Sequence, residues 1–481
     1  MALPGEDSDI FELCEVLTLA TDAMEEAAAS LVPTGESITV DTRDGNVTGC
    51  EISFPVGGVP YSVRAALLEA LLPFPGLFAA DVEGGDRDIF VDEEGPQKLL
   101  KALEVCKEDA AVVSTLWTVL GAMMVKRPAE RRTMGSEGGI PMSIVASKMH
   151  PDSAEVQVAA MKAMRQMCTK NELNKGLLHD MGATVAIIEA LLRFRDNSEV
   201  AQACFSAIRQ MSINDDTAVQ TNNRTELIRY LMGPKYGQDL SPVSPPFMCT
   251  LLEIADQHAG DLECSLVAAE CLTSQVVNNE NCREAVESGV VDALSDMLKA
   301  HGSGSAPLVR TVVMAVRNLC ANDDNKITFV AEGFSGTVIR AMSAHPSDVL
   351  MLEVGCQTIG VMAFKNDENC EQLREQSSIP IILDSLRANP QSMLLFKAGC
   401  QALRSLCRVE ANREQMLLEG VEDVVSEGME RFVPIDSWYS EFGREVLRDT
   451  GSKKFQLGKY GHSQVLLLRE GPAKGPELAR D

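Results

Sequence analysis

Residues 317–333 read RNLCANDDNKITFVAEG, and the tetrapeptide NDDN at 322–325 is the part whose reading decides the fold. Four consecutive oxygen-bearing side chains in an apolar neighbourhood suggest a calcium loop. An EF-hand loop needs oxygen ligands at positions 1, 3 and 5, glycine at 6 and glutamate at 12. Counted from Asn322, position 5 is Lys326, position 6 is Ile327 and position 12 is Gly333. A cation and an aliphatic chain stand where a ligand and a tight turn are required, so the calcium reading fails.

The tetrad recurs instead. NELN stands at 171–174, NNEN at 278–281, NDDN at 322–325 and NDEN at 366–369, with weaker versions NDDT at 214–217 and VEAN at 409–412. Their first residues are spaced by 43, 64, 44, 44 and 43, the long step being one period plus 21 inserted residues. Glycine marks the same period at another phase, at Gly95, Gly139, Gly182, Gly289, Gly333 and Gly420, with Ser378 in the place of one missing glycine. Glycine is expected where a helix ends in a left-handed residue. A third marker is a short turn, HPDS at 150–153, HPSD at 345–348 and NPQS at 390–393. Proline after one helix and Ser or Asp before the next separate two helices.

Between the markers the apolar spacing is helical. Val290, Val291, Leu294, Met297 and Leu298 follow the i, i+3, i+4, i+7 rule, as do Leu308, Val309, Val312, Val313, Val316 and Leu319. Each unit is therefore expected to be a short helix, a turn at glycine, a second helix and a longer third helix. No such unit buries its apolar faces alone; stacking does.

A period of about 43 with two or three helices is the armadillo/HEAT class. The strings AMRQMC, AIRQMS, AVRNLC and ALRSLC, each followed closely by Asn or its substitute and then a glycine, resemble the armadillo third helix and its junction. The junctions, the HP turns and the ending GREVLRDTG at 443–451 are similar to the armadillo repeat-containing protein six family. The expected fold is an all-α, right-handed α-solenoid of about seven to eight three-helix repeats with a short N-terminal extension. An acidic segment, 1–60, is expected first, partly disordered, with an amphipathic helix over 8–31 and a β-hairpin around Asp44-Gly45. The solenoid is expected over 61–451, with an insertion near 233–252 that carries GPKYGQDLSPVSPP, and a basic tail follows over 452–481.

Bulk properties bound the partners. The 481 residues carry a net charge of −27, which disfavours attraction to nucleic acid or anionic membranes. Residues 1–60 hold 12 acids against Arg43 alone, whereas 452–481 hold six Lys or Arg against three acids. The longest apolar run, AAVVSTLWTVLGAMMV at 110–125, is short for a membrane span and suits a buried helix. No secretory signal opens the chain, and the 14 cysteines include no C-x-x-C, so reduced thiols in cytosol or nucleus are expected.

No phosphate loop, nucleophile elbow or HExxH is present, and the six histidines are dispersed, so neither catalysis, a cofactor nor a metal is expected. The third helices repeat a polar pair at one register: Arg165-Gln166, Arg209-Gln210, Arg317-Asn318 and Arg404-Ser405. The armadillo resemblance implies that third helices line a concave groove, where such residues form the partner-binding set. Arg suits bidentate pairing with carboxylates, although pairing with neighbouring acids on a solvated face is the alternative. The expected function is a non-catalytic scaffold for a protein partner, possessing an extended or acidic segment. The competing reading is a transport or chaperone adaptor that handles basic cargo through the acidic surface. The segment 1–60 is a candidate to fold back and occlude the groove.

Asn and Asp suit the junction because they cap helix N-termini. Asn322→Ala should cost about 0.5–2 kcal/mol, read from thermal unfolding, and added calcium should leave the melting temperature unchanged.

Overall fold

The computed structural model describes residues 86–213, 247–302, 304–432 and 439–453, with the isolated positions 68, 71, 75 and 78. The helix expected over 8–31, the hairpin over 37–54, the loop 233–246 and the tail beyond 453 lie outside the described residues. The chain divides into two compact units, Met1–Ser274 and Gln275–Asp481. All regular structure among the described residues is helical.

In the first unit, repeat 1 comprises Asp86–Asp92, Gly95–Val105 and Ala110–Met123, and repeat 2 Pro128–Ser136, Gly139–Met149 and Ala154–Cys168. Repeat 3 comprises Glu172–Asp180, Ala183–Arg193 and Ser198–Ser212. Repeat 4 is described for its second and third helices, Phe247–Gln257 and Leu262–Gln275, so helix begins inside the stretch 233–252.

The second unit holds repeat 5 (Asn279–Glu287, Val290–His301, Ala306–Leu319) and repeat 6 (Asp323–Ala331, Phe334–Ala344, Val349–Ala363). Repeat 7 (Asp367–Glu375, Ser378–Ala388, Met393–Leu406) and repeat 8 (Glu410–Leu418, Val421–Phe432, Tyr439–Asp449) follow. The eighth repeat thus has all three helices. Within each unit, the first, second and third helices of successive repeats pack in separate layers. Their facing apolar residues form the core, in which Trp117, Phe205 and Phe329 are wholly buried. The apolar run at 110–125 is the third helix of repeat 1, and no helix among the described residues is long and apolar enough to cross a membrane.

Local chemistry sets the helix ends. The turn residues Ser153, Asp348 and Ser392 accept the backbone N–H of Val156, Met351 and Leu395, capping the third helices. The turn preceding them ties repeats together as well: the His150 ring bonds the Lys107 carbonyl at 2.6 Å, and Asn389 Nδ2 donates to Pro346 O at 3.4 Å. The left-handed residue before the second helix is glycine at 182, 289, 333 and 420. In three repeats, however, it falls one position earlier than the glycine marker suggests, on Glu94, Gly138 and Ser377. Gly95 and Gly139 serve close approach instead: a Cβ would stand 2.3 Å from the Phe90 ring at Gly95, and 2.7 Å from the Met134 carbonyl at Gly139.

The tetrad does more than cap. Its first residue caps as expected: Asn171, Asn278, Asn322 and Asn366 accept the N–H three residues on, and Asn322 also accepts from Asp324. Its fourth residue is a buried amide that reaches backwards. Asn325 Nδ2 donates to Cys282 O in the previous first helix at 2.8 Å, and to Leu319 O at the end of the previous third helix at 3.1 Å. Asn174 repeats this with Arg131 O and Met167 O, Asn369 with Lys326 O and Met362 O, and Asn412 with Cys370 O and Leu406 O.

The next residue reaches forwards, to the end of the same repeat's third helix. Arg131 donates to Thr169 O at 3.1 Å, Lys175 to Ile213 O at 2.5 Å and Lys326 to Phe364 O at 2.9 Å. Cys282 and Cys370 replace the cation with a thiol that donates to Asn318 O and Ser405 O. A cation at a helix C-terminus also opposes the negative end of the helix dipole. Buried Lys175 is completed by Glu172 at 2.7 Å, because a buried charge without a partner is costly.

Asn325→Ala removes two buried hydrogen bonds and leaves two carbonyls without that donor. Urea unfolding followed by circular dichroism should show a loss of about 2–3 kcal/mol, larger than for Asn322→Ala. Asn325→Asp should not rescue it, since a carboxylate would face two carbonyl oxygens. Equal losses for the Asn322 and Asn325 variants would remove the amide from this role.

Candidate partner-binding face

The third helices place one register on one face, 43 or 44 residues apart except across the insertion, where the step is 64. In the first unit it carries Gly121, Arg165, Arg209 and Thr273, and in the second Arg317, Gly360, Arg404 and Arg448. Arg448 belongs to the row although the tetrad-based reading stops at Arg404. Its signal is present in LRD at 447–449, one period after LRS at 403–405.

The predicted site residues differ in what holds them. Arg165 is exposed with no side-chain bond among the described residues, and Gln166 beside it is half-buried. Arg209 pairs with Glu270 at 3.3 Å, and Gln210 is buried. Arg404 is 2.7 Å from Glu445 and 3.5 Å from Asp449, with Ser405 half-buried next to it. Arg317 is held by amide oxygens only, Nη1 donating to Gln357 and Nη2 to Asn318, the latter at 3.1 Å. Burial draws its pKa below the usual guanidinium value, partly opposed by Glu353. The partners Glu270, Gln357 and Glu445 all lie three residues before the register position of the next third helix. The row is thus mostly a lateral chain of bonds between adjacent third helices, and the guanidinium groups of Arg209 and Arg404 already have carboxylates. At such exposure each pair contributes about 0–1 kcal/mol.

In the second unit this face is hollowed by a cavity of about 960 Å³ spanning repeats 5 to 8. Gly360 forms part of its floor where neighbouring repeats carry arginine, and its missing Cβ lets the Ala402 backbone come close. Five cations line the cavity, Arg317, Lys326, Lys365, Arg404 and Arg408, against Asp323 and Asp449. Lys326 is tied to Asp323 at 2.6 Å and Arg408 to Asp367 at 2.7 Å. Among the described residues Lys365 makes no ion pair; it stands 5.1 Å from the Phe364 ring centre and, after Lys326, helps to lower the pKa of Asp323. Phe364, at the edge of the cavity, is 51% exposed, and Lys326 Nζ lies 5.6 Å from its ring centre. Sequence spacing missed Gly360 because it breaks the arginine row, and Phe364 and Lys365 because they follow the third helix, outside that register, although Lys365 shares its left-handed position with Lys126 and Lys170.

Among the described residues no group of three or more His, Cys, Asp or Glu is placed to hold a metal ion. The described cysteines are buried except Cys249. Burial pushes the Cys282 and Cys370 thiols up to about 11 and the Cys356 and Cys407 thiols up to about 12. Such thiols are protonated and unreactive at neutral pH. Cys249 is also raised, by burial first and then by its hydrogen bond to Glu253.

The three-helix repeats, stacked in register, have the fold of an armadillo-repeat solenoid. In sequence it is similar to Armadillo repeat-containing protein 6 of Homo sapiens, 20% identical over 299 residues, which cover 58% of each chain. The relative of the same name from Pongo abelii matches to the same extent. This chain thus covers less than two thirds of the length of those relatives. No protein-family model matches. Among solved structures, a chain from work on the phosphorylation-controlled interaction between cadherin and β-catenin superposes with a TM-score of 0.57 at 15% identity, covering 80% of this chain and 66% of that one. An engineered protein gives a TM-score of 0.53 at 15% identity, covering 81% of this chain and 96% of its own.

Iodoacetamide at pH 8 should modify Cys249 before any other described cysteine, as mapped by mass spectrometry. The rate should rise as pH climbs towards the raised thiol value. Modification of Cys282 or Cys370 in folded protein at a comparable rate would show that these thiols are not held inside their repeats.

Proposed function

We propose that the chain is a non-catalytic scaffold that binds a protein partner along its third-helix face, with Arg165, Gln166, Arg209, Gln210, Arg317, Asn318, Arg404 and Ser405 as the contact row. The observation that carries this reading is the cationic hollow on that face of a chain whose net charge is −27. A solenoid of this kind offers an extended surface, and charge complementarity favours an acidic, extended segment. The cadherin–β-catenin neighbour concerns an interaction between proteins, which accords with this reading. The competing adaptor for basic cargo draws on the acidic surface as a whole, and it would engage faces other than the cationic hollow.

The test starts from the partner recovered with the full chain by crosslinking and mass spectrometry. Arg165→Glu combined with Arg317→Glu should weaken its binding at least about tenfold. Lys148→Glu combined with Arg340→Glu, on second helices, should leave it unchanged. Unaltered affinity in the third-helix variant would overturn the proposal, and a preference for lysine-rich over glutamate-rich peptides would favour the adaptor.

A further inference from the structure

We propose that the cavity of repeats 5 to 8 is a specific docking site for a peptide segment that sets an aromatic side chain among carboxylates. This deepens the third-helix reading above and rests on it. Three observations point to this ligand. Among the described residues neither Arg317 nor Lys365, both in the cavity wall, forms an ion pair with a carboxylate. Arg317 hydrogen-bonds amide oxygens and feels Glu353 only at longer range, and Lys365 stands against a ring and feels Asp323 only at longer range. Arg317 spends three of its five N–H groups on Gln357 and Asn318, which fixes the guanidinium plane and leaves donors for an incoming carboxylate.

Next to them Phe364 is half exposed although it closes a helix whose neighbours are buried. Its backbone carbonyl is pinned by Lys326, so the ring is presented from a fixed position. A ring so placed offers an incoming aromatic group an apolar contact beside the charges. Finally, the row of side chains breaks at Gly360. The repeats on either side carry arginine at that register, whereas Gly360 puts no side chain into this part of the cavity lining. A volume of about 960 Å³ accommodates several residues rather than one carboxylate.

Fluorescence anisotropy on the full chain tests this with three labelled peptides, GEEEFEEEG, GEEEAEEEG and GKKKFKKKG, at low salt. The glutamate–phenylalanine peptide should bind, its alanine counterpart about fivefold or more weakly, and the lysine peptide not at all. Lys365→Gln should weaken the first peptide about tenfold, and adding Arg317→Gln should weaken it further. Phe364→Ala should bring the first peptide down to the level of the second without affecting the second. Lys365 is exposed and makes no bond that the fold uses, so its variant reads binding rather than folding; unchanged melting temperatures check the others.

Absence of binding by the first peptide at millimolar concentration, or indifference to Lys365→Gln and Phe364→Ala, overturns the site. If binding falls with Arg165→Glu instead, the cavity is refuted while the wider third-helix face stands. If the recovered partner is itself insensitive to the third-helix variants, it is the wider reading that fails.

Discussion

The buried amide of Asn325 is the interaction on which the rest of the array depends. Apolar contact between stacked helices is strong but non-directional, and it does not by itself set how one repeat sits on the next. The amide does, because it needs two carbonyl oxygens at once, one from each of two helices of the preceding repeat. Asn322, Asn325 and Lys326 therefore divide three tasks within five residues: starting a helix, seating it on its predecessor, and closing the repeat on itself. The same division recurs at NELN and, with a thiol for the cation, at NDEN. VEAN makes the ranking plain, for Val409 provides no side-chain cap while Asn412 keeps both of its bonds.

Much of this was legible because it is written at a fixed spacing. The period, the glycine turns, the capped HP turns and the amphipathic third helices all follow from residues close in the chain. The roles within the tetrad were not, since capping explains a first-position Asn but has no use for the fourth. The fact that VEAN retains only its last Asn was the available signal. The left-handed position was placed one residue late in three repeats because two kinds of glycine requirement, positive φ and close approach to Phe90 or Met134, lie side by side.

The candidate face was legible as a register and not as a site. Helical periodicity put Arg165, Arg209, Arg317 and Arg404 on one row, but whether a guanidinium is available depends on the residue the next repeat sets opposite it. Glu270 and Glu445 engage two of them, whereas Gln357 leaves Arg317 charged and unneutralised at contact distance. The most informative position is one where the row is interrupted. At Gly360, in the lining of the cavity, the row of lateral bonds is interrupted, and the bond that secures the fold at Lys326 also fixes the backbone of Phe364 at its rim.

The amide ladder has a direction. Each Asn bonds carbonyls that lie earlier in the chain, by 43 residues for Asn174, Asn325 and Asn369 and by 42 for Asn412. During synthesis, the acceptors of each junction have therefore left the ribosome before the donor emerges. A repeat can lock onto a neighbour that is already folded, without waiting for downstream sequence, and contacts of such short span favour rapid assembly. The order of translation is in this sense the order in which the bonds can be made.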